Sequence, residues 1–290
     1  MTLLDDLKTQ YKTGDISQKL LYWNIVLFVI PEVAKAVVSL FGVDFGYQNF
    51  ISLSSNPMLL LQKPWSILSY AFFHANFLHL FFNMMVLQFS SRLFLTFFRP
   101  NQLLQLYLLG SVFAAFVYLL CSFLTPNLSQ INSSLVGASG AIMAILFAVA
   151  TYSPHYAIRL MLVGNIKLWH LALTLILIDL IQLPIENTGG HLAHLGGAIF
   201  GFLYCKTMQQ GTDLGKWMTT ATTFFGPSKP KTPFKKIYKN PTVNPQKTVS
   251  KIVLKDKQQQ QIDDILDKIS QSGYDSLTKQ EKETLFSAGK

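Results

Sequence analysis

Six apolar stretches occupy most of residues 20 to 208, and they restrict what this chain can fold into more than any other feature. They run roughly Leu20–Phe41, Trp65–Phe89, Leu103–Phe123, Gly137–Tyr152, Leu168–Leu183 and Gly190–Met208. Crossing a hydrocarbon core in helix takes about 20 mostly apolar residues. The fourth and fifth stretches are shorter, at about 16 residues, and a short helix serves inside a bundle when protein shelters its end below the membrane surface. Charge follows the same division. Residues 20–208 carry eleven charged side chains and residues 209–290 carry twenty-two. The first part reads as membrane-embedded and the second as water-facing. With 13% charged residues overall and a mean hydropathy of +0.32, a soluble globular chain and a disordered one are both excluded.

Basic residues in the short connections orient the spans. Lys8, Lys12 and Lys19 precede span one, Arg92 and Arg99 follow span two, and Arg159 and Lys167 follow span four. The connections after spans one, three and five hold only Lys63. This alternation predicts six spans with both termini cytoplasmic. The first apolar run is too long for a signal-peptide core and has no clear small-residue cleavage site, so it reads as a retained span. Cys121 and Cys205 give neither a disulfide framework nor metal spacing.

The expected organisation is a cytoplasmic arm (1–19), a six-helix membrane domain (20–208), a basic proline-rich linker (209–258) and a small helical segment (259–290). The linker interleaves Lys229, Lys231, Lys235, Lys236 and Lys239 with Phe234 and Tyr238. That pattern suits a soluble linker, and also contact with anionic lipid. Further on, Ile262, Ile265, Leu266 and Ile269 form an apolar stripe, Gly273 is expected to stop that helix, and Ser276 to cap another carrying Leu277 and Leu285.

Polar groups inside a membrane are costly and so point to function. Glu32 and Lys35, three apart in span one, are expected to pair. Most of the remaining polar load lies in spans two, four and six. Ser139 stands in Gly137-Ala138-Ser139-Gly140 at a helix start, where unpaired N–H groups can stabilise a negative oxygen. It follows a polar loop, Ser129 to Ser134. His194 is followed at helical spacing by Gly197 and Gly201, which let span six approach a neighbour closely and offer Ser139 a base. His79 and Asn83 share one face of span two and supply hydrogen-bond donors suited to an oxyanion hole. Each has a plainer reading as packing or interhelical bonding, and Gly137 and Gly140 as helix-packing glycines. Zinc on His74, His79, His191 and His194 is the rival, but no acid is spaced as a ligand, and no metal or other cofactor is expected.

Taken together, these motifs resemble those of rhomboid intramembrane serine proteases. The resemblance covers about residues 18–208 and rests on three motifs in order: Lys63-Pro64-Trp65 through His79-x-x-x-Asn83, Gly137-Ala138-Ser139-Gly140, and Ala193-His194 with Gly197 and Gly201. It implies an all-α membrane protein, a six-transmembrane-helix bundle with a soluble C-terminal tail. It also implies Ser139 as nucleophile and His194 as base in a dyad without an acid. His79, Asn83 and the Ser139 N–H would form the oxyanion hole, and Gly42–Gln62 a membrane-dipping first loop. Met143 stands where many relatives have an aromatic residue, and Trp65-Ser66 where many have Trp-Arg. Asp179 finds no role in this scheme and reads as structural. The expected substrates are single-pass transmembrane proteins cut near the outer surface of a bacterial inner membrane, and the expected partners are those substrates and the bilayer, with no nucleic acid. The rival from another class is a catalytically silent relative that holds membrane clients, marked by loss of the serine or base, both kept here. A transporter would show an internal repeat, and none is found.

Overall fold

The computed structural model describes residues 2–125, 134–160, 163–185, 187–218 and 245–288. It divides into two units, Met1–Pro227 and Ser228–Lys290.

In the first unit an amphipathic helix α1 (Leu3–Thr13) lies within the expected arm, started by a Thr2–Asp5 capping box. Helix α2 (Ile16–Ser39) is the first span and begins earlier than the apolar run suggests, because Asp15 caps it through Gln18 N–H. The connecting loop contains α3 (Gln48–Ile51), the short strand β1 (Leu53–Ser54) and α4 (Pro57–Gln62). Span two is not one helix. It opens with α5 (Ser66–Ser69) and a 3₁₀ turn (Tyr70–Phe72), breaks, and restarts as α6 (Phe77–Leu95). Asn76 makes the restart by accepting a hydrogen bond from His79 N–H at 2.9 Å. Helix α7 (Pro100–Leu124) follows, with proline in its first turn.

Strand β2 (Ser134–Leu135) pairs antiparallel with β1, Leu53 opposite Leu135, and leads into α8 (Ser139–Tyr152). An antiparallel hairpin of β3 (Ala157–Leu160) and β4 (Gly164–Lys167) then precedes α9 (Leu168–Gln182) and α10 (Thr188–Gln209). This hairpin fills a connection that periodicity left unassigned.

Helices α2, α6 and α7 are long and apolar enough to cross a membrane, whereas α8 and α9 are shorter apolar helices. Helix α10 has the length, at 22 residues, but glycine and histidine dilute its hydropathy. Helix α8 is buried along nearly its whole length, among α6, α7, α9 and α10. By contrast α2 exposes Ile25, Val26, Val29, Ile30, Val33 and Val37, an apolar face suited to a hydrocarbon surrounding. The molecule is a helical membrane bundle.

Inside the bundle, the Tyr107 hydroxyl donates to Ala71 O at 2.7 Å and accepts from the Asn24 amide at 3.1 Å. These bonds tie α2 and α7 to the turn before α6. Glu32 does not take Lys35 as its partner as expected. Its carboxylate accepts the Tyr47 hydroxyl at 2.6 Å, fastening the first loop to α2.

The second unit contains α11 (Pro245–Ser272) and α12 (Lys279–Ala288). Helix α11 starts inside the segment expected to be linker. It ends before Gly273, which has φ +78°. Ile265 and Leu277 are buried between the two helices, while Leu266 is exposed and stands off the expected stripe. The cap of α12 is Thr278 with Glu281, not Ser276. Lys268 bridges to Glu281 at 2.8 Å. The basic cluster Lys229–Lys239 and most of the loop Ser129–Ser134 lie outside the described residues.

Candidate active site

The approach to Ser139 is pinned from both sides. Pairing with β1 holds Leu135, and Gly137 N–H donates to Tyr70 O at 2.9 Å. Gly137 has φ +129°, a conformation that favours glycine. A Cβ there would stand 2.8 Å from His79 Cε1, 2.9 Å from His79 Nε2 and 3.8 Å from Ser139 Oγ. Gly137 is therefore not a helix-packing glycine, as expected from sequence. It precedes the helix and makes room for an imidazole beside the serine. Ser139 itself is the first residue of α8, whose first-turn N–H groups have no intrahelical acceptor.

The orientation of His79 follows from its own helix start. Ala75 N–H donates to His79 Nδ1 at 3.4 Å, which leaves the ring proton on Nε2, one of the two ring atoms that border the space glycine keeps open. One turn on, the Asn83 amide donates one hydrogen to His79 O at 2.8 Å and retains a second. His74 sits in the break before α6, buried and edge-on to His79 with ring centroids 5.2 Å apart.

The other three glycines lie at helix contacts. A Cβ on Gly197 would meet the carbonyl oxygen of Gly140, and one on Gly201 the carbonyl oxygen of Ala144. A Cβ on Gly140 would come within 2.8 Å of Ala114 Cβ and 3.3 Å of Ala193 O. Helices α8 and α10 thus touch backbone to backbone, the contact that small residues permit in membranes.

That approach opens a cleft of about 290 Å³ whose polar lining is Asn83, Ser139, Asp179, His191 and His194, with Met143 among its apolar walls. His79 is not part of that lining; its ring lies against Gly137. The cleft contains an acid that the sequence reading left out. Asp179 on α9 is 4% exposed, and its Oδ1 stands 2.8 Å from His194 Nδ1 and 2.7 Å from His191 Nδ1. Sequence did offer a signal. The turn between α9 and α10 is centred near Ile185, so Asp179 and His191 lie equally far from it on antiparallel helices. His194 follows His191 by three residues on the same face.

Asp179, His191 and His194 are also a group that can be considered for a metal. Zinc held at about 2.0–2.1 Å by tetrahedral ligands keeps donor atoms about 3.3 Å apart. The observed 2.7 and 2.8 Å separations are those of charge-assisted hydrogen bonds.

Fold and cleft define a helical membrane protein in which a serine at a helix start shares one cleft with two histidines and a buried acid. The family model for the Rhomboid domain matches residues 61–210. The chain belongs to the rhomboid family. A family of unknown function (DUF6576) matches residues 253–287, the helical pair of the second unit. The presenilin-associated rhomboid-like protein A, mitochondrial, of Danio rerio is 32% identical over 154 residues. The match covers 52% of this chain and 39% of that protein.

Proposed function

We propose that this rhomboid-family protein is an intramembrane serine endopeptidase that cleaves single-pass transmembrane proteins near the outer membrane surface. The observation that carries the reading is the placement of Ser139 and His194 on two helices in backbone contact, facing one cleft. His194 Nδ1 is occupied by Asp179, so Nε2 is the nitrogen free to take the serine proton. The Ser139 oxygen attacks a substrate carbonyl as His194 Nε2 accepts that proton. The new oxyanion is met by Ser139 N–H, by His79 Nε2–H and by the remaining Asn83 amide hydrogen. His194 then returns the proton to the leaving amine, and water releases the acyl group by the same steps in reverse order.

A peptide bond inside a helix has its carbonyl hydrogen-bonded and its faces screened. Substrates with small or helix-breaking residues near the cut are therefore favoured, since their backbone leaves the helix at lower cost. In this reading the protein sits in a bacterial inner membrane, and the excess of Lys and Arg on one set of connections supports cytoplasmic termini.

The test is cleavage of a tagged single-pass reporter in proteoliposomes by wild type, Ser139→Ala and His194→Ala. Cutting by wild type that is lost in both variants supports the assignment. Equal cutting by all three refutes it. Absence of cutting across several reporters, with no labelling by a serine-directed probe, favours a client-binding protein instead.

A further inference from the structure

Three residues of the cleft form a group whose geometry the serine–histidine pair does not require. Asp179 comes from α9, while His191 and His194 come from α10. Both histidine Nδ1 atoms converge on the same carboxylate oxygen, at 2.7 and 2.8 Å. A carboxylate oxygen that receives two imidazole nitrogens at these distances is an acceptor for both, so each ring carries its proton on Nδ1. For His194 this has a direct chemical consequence. Its Nε2 is left bare, and the ring is fixed in the plane set by a buried, immobile acid.

The alternative devices for holding the ring are weak here. Met143 lines the cleft where an aromatic face would clamp an imidazole by stacking, and a thioether chain with three rotatable bonds gives no such plane. The His194 side chain is 25% exposed, so packing alone leaves it room to turn. The acid compensates for both. The other polar groups facing His194 are Ser139 on α8, His79 and Asn83 on α6, and His191 on its own helix. None of them offers an anionic acceptor to Nδ1.

We propose that Asp179 is a positioning residue for His194, so that the site works as a three-membered relay of Asp179, His194 and Ser139 on three different helices, with His191 as a second bond that anchors the carboxylate. The proposal rests on the serine-peptidase reading above. Asp179 touches no reacting atom. It acts by selecting the tautomer of the base and by holding the ring aimed at the serine. His191 keeps the carboxylate turned toward α10 when the His194 ring carries the transferred proton.

The experiment pairs kinetics with a readout that needs no substrate. Histidine-selective ¹⁵N spectra of the full chain in nanodiscs, assigned with His194→Ala and His191→Ala, are recorded for wild type, Asp179→Asn and Asp179→Glu. Cleavage of the reporter and thermal unfolding are measured on the same preparations. Wild type is expected to show His194 protonated at Nδ1 and bare at Nε2. Asp179→Asn removes the charge and puts an N–H₂ donor in place of one carboxylate oxygen, so its His194 is expected to shift toward the Nε2–H form. The loss in kcat is expected to be about 10²- to 10⁴-fold with KM nearly unchanged, the size of effect known for the corresponding change in a soluble triad. Asp179→Glu keeps the charge and is expected to restore the Nδ1–H form and part of the rate.

A wild-type spectrum with His194 protonated at Nε2 overturns the proposal without any variant, so a failure of Asp179→Asn to fold does not shield it. Asp179→Asn that keeps the wild-type tautomer, or whose kcat falls no more than its folded fraction, also overturns it. A wild type that cleaves no better than Ser139→Ala removes the peptidase reading, whereas the tautomer spectra still decide whether Asp179 sets His194.

Discussion

Replacing Gly137 by alanine tests how the site is assembled, because one methyl group there meets two constraints at once. The backbone at φ +129° is strained for any residue with a side chain, at about 1–3 kcal/mol. The methyl would also stand 2.8–2.9 Å from the His79 ring, where carbon atoms prefer about 3.5–4.0 Å. The ring is the softer partner and must swing away, breaking the bond from Ala75 N–H to its Nδ1. In the proposed mechanism an oxyanion donor is then lost, which costs about 10²–10³ in kcat. Gly137→Ala should therefore lower kcat by that factor, while melting temperature falls only as far as the backbone strain requires. His79→Ala should produce a similar loss by itself. The decisive assay is the double variant, with reporter cleavage measured alongside thermal unfolding. With the ring gone the methyl has nothing to displace, so Gly137→Ala should cost no further activity in the His79→Ala background. A coupling of about 2.7–4 kcal/mol in transition-state free energy is expected. Losses that multiply in the double variant would refute the steric link between Gly137 and His79, and a Gly137→Ala enzyme of full activity would remove His79 from the oxyanion hole.

Three further perturbations separate packing from chemistry. Gly197→Ala drives a methyl into the Gly140 carbonyl, and backbone cannot step aside as a ring can. Stability should fall by about 1–3 kcal/mol, and a 1 Å separation of α8 from α10 should cost about 10²-fold in rate, so melting temperature and kcat fall together. An unchanged melting temperature would contradict the close helix contact. Tyr107→Phe strands Ala71 O and one hydrogen of the Asn24 amide, neither of them in the cleft lining, so unfolding should become easier by about 1–3 kcal/mol with kcat within a few-fold of wild type. In the second unit, the Lys268 ammonium, with Thr278, holds the Glu281 carboxyl well below its ordinary value of 4.5, at about 2. A depressed carboxyl contributes stability in full above the unfolded value and loses it as pH falls through the folded one. Amide exchange of residues 279–288 in the full chain should therefore quicken as pH drops from 4.5 toward 2 beyond its intrinsic dependence. Glu281→Gln should abolish that extra slope, and an identical slope in the variant would refute the assignment.

The fold was legible in the sequence because membrane helices advertise themselves by composition, and the structure is the helical bundle that six apolar runs predicted. Local chemistry set the errors. Span two read as continuous because Tyr70, Ala71, Phe72 and Phe73 are as apolar as helix, yet the chain breaks there so that Asn76 can cap α6 and place His79. The start of α11 was missed because Pro227, Pro230, Pro233, Pro241 and Pro245 gave the stretch the composition of a linker, although Val249, Ile252 and Val253 stand at helical spacing there. Gly140, Gly197 and Gly201 announced a close contact by their spacing, but spacing along one helix says nothing about what a neighbour presents. Gly137 shares their motif and does a different task, which only its backbone angle reveals.

Asp179 shows why a site can be hidden in a sequence that displays its other members. A carboxylate in a short apolar helix looks like an isolated cost, and isolated charge within a bilayer is expensive. The structure distributes that cost. Its one oxygen satisfies two imidazoles from the adjoining helix, so three groups that would each be poorly placed alone become a closed set. Such an arrangement requires α9 and α10 to run antiparallel from a tight turn, and it requires His191 and His194 to be three apart. It also means that α9 cannot move away from α10 without leaving the Nδ1 atoms of His191 and His194 without their carboxylate. Separation of the two helices would break both contacts at once, which makes the acid a mechanical tie between α9 and α10 as well as an electrostatic one.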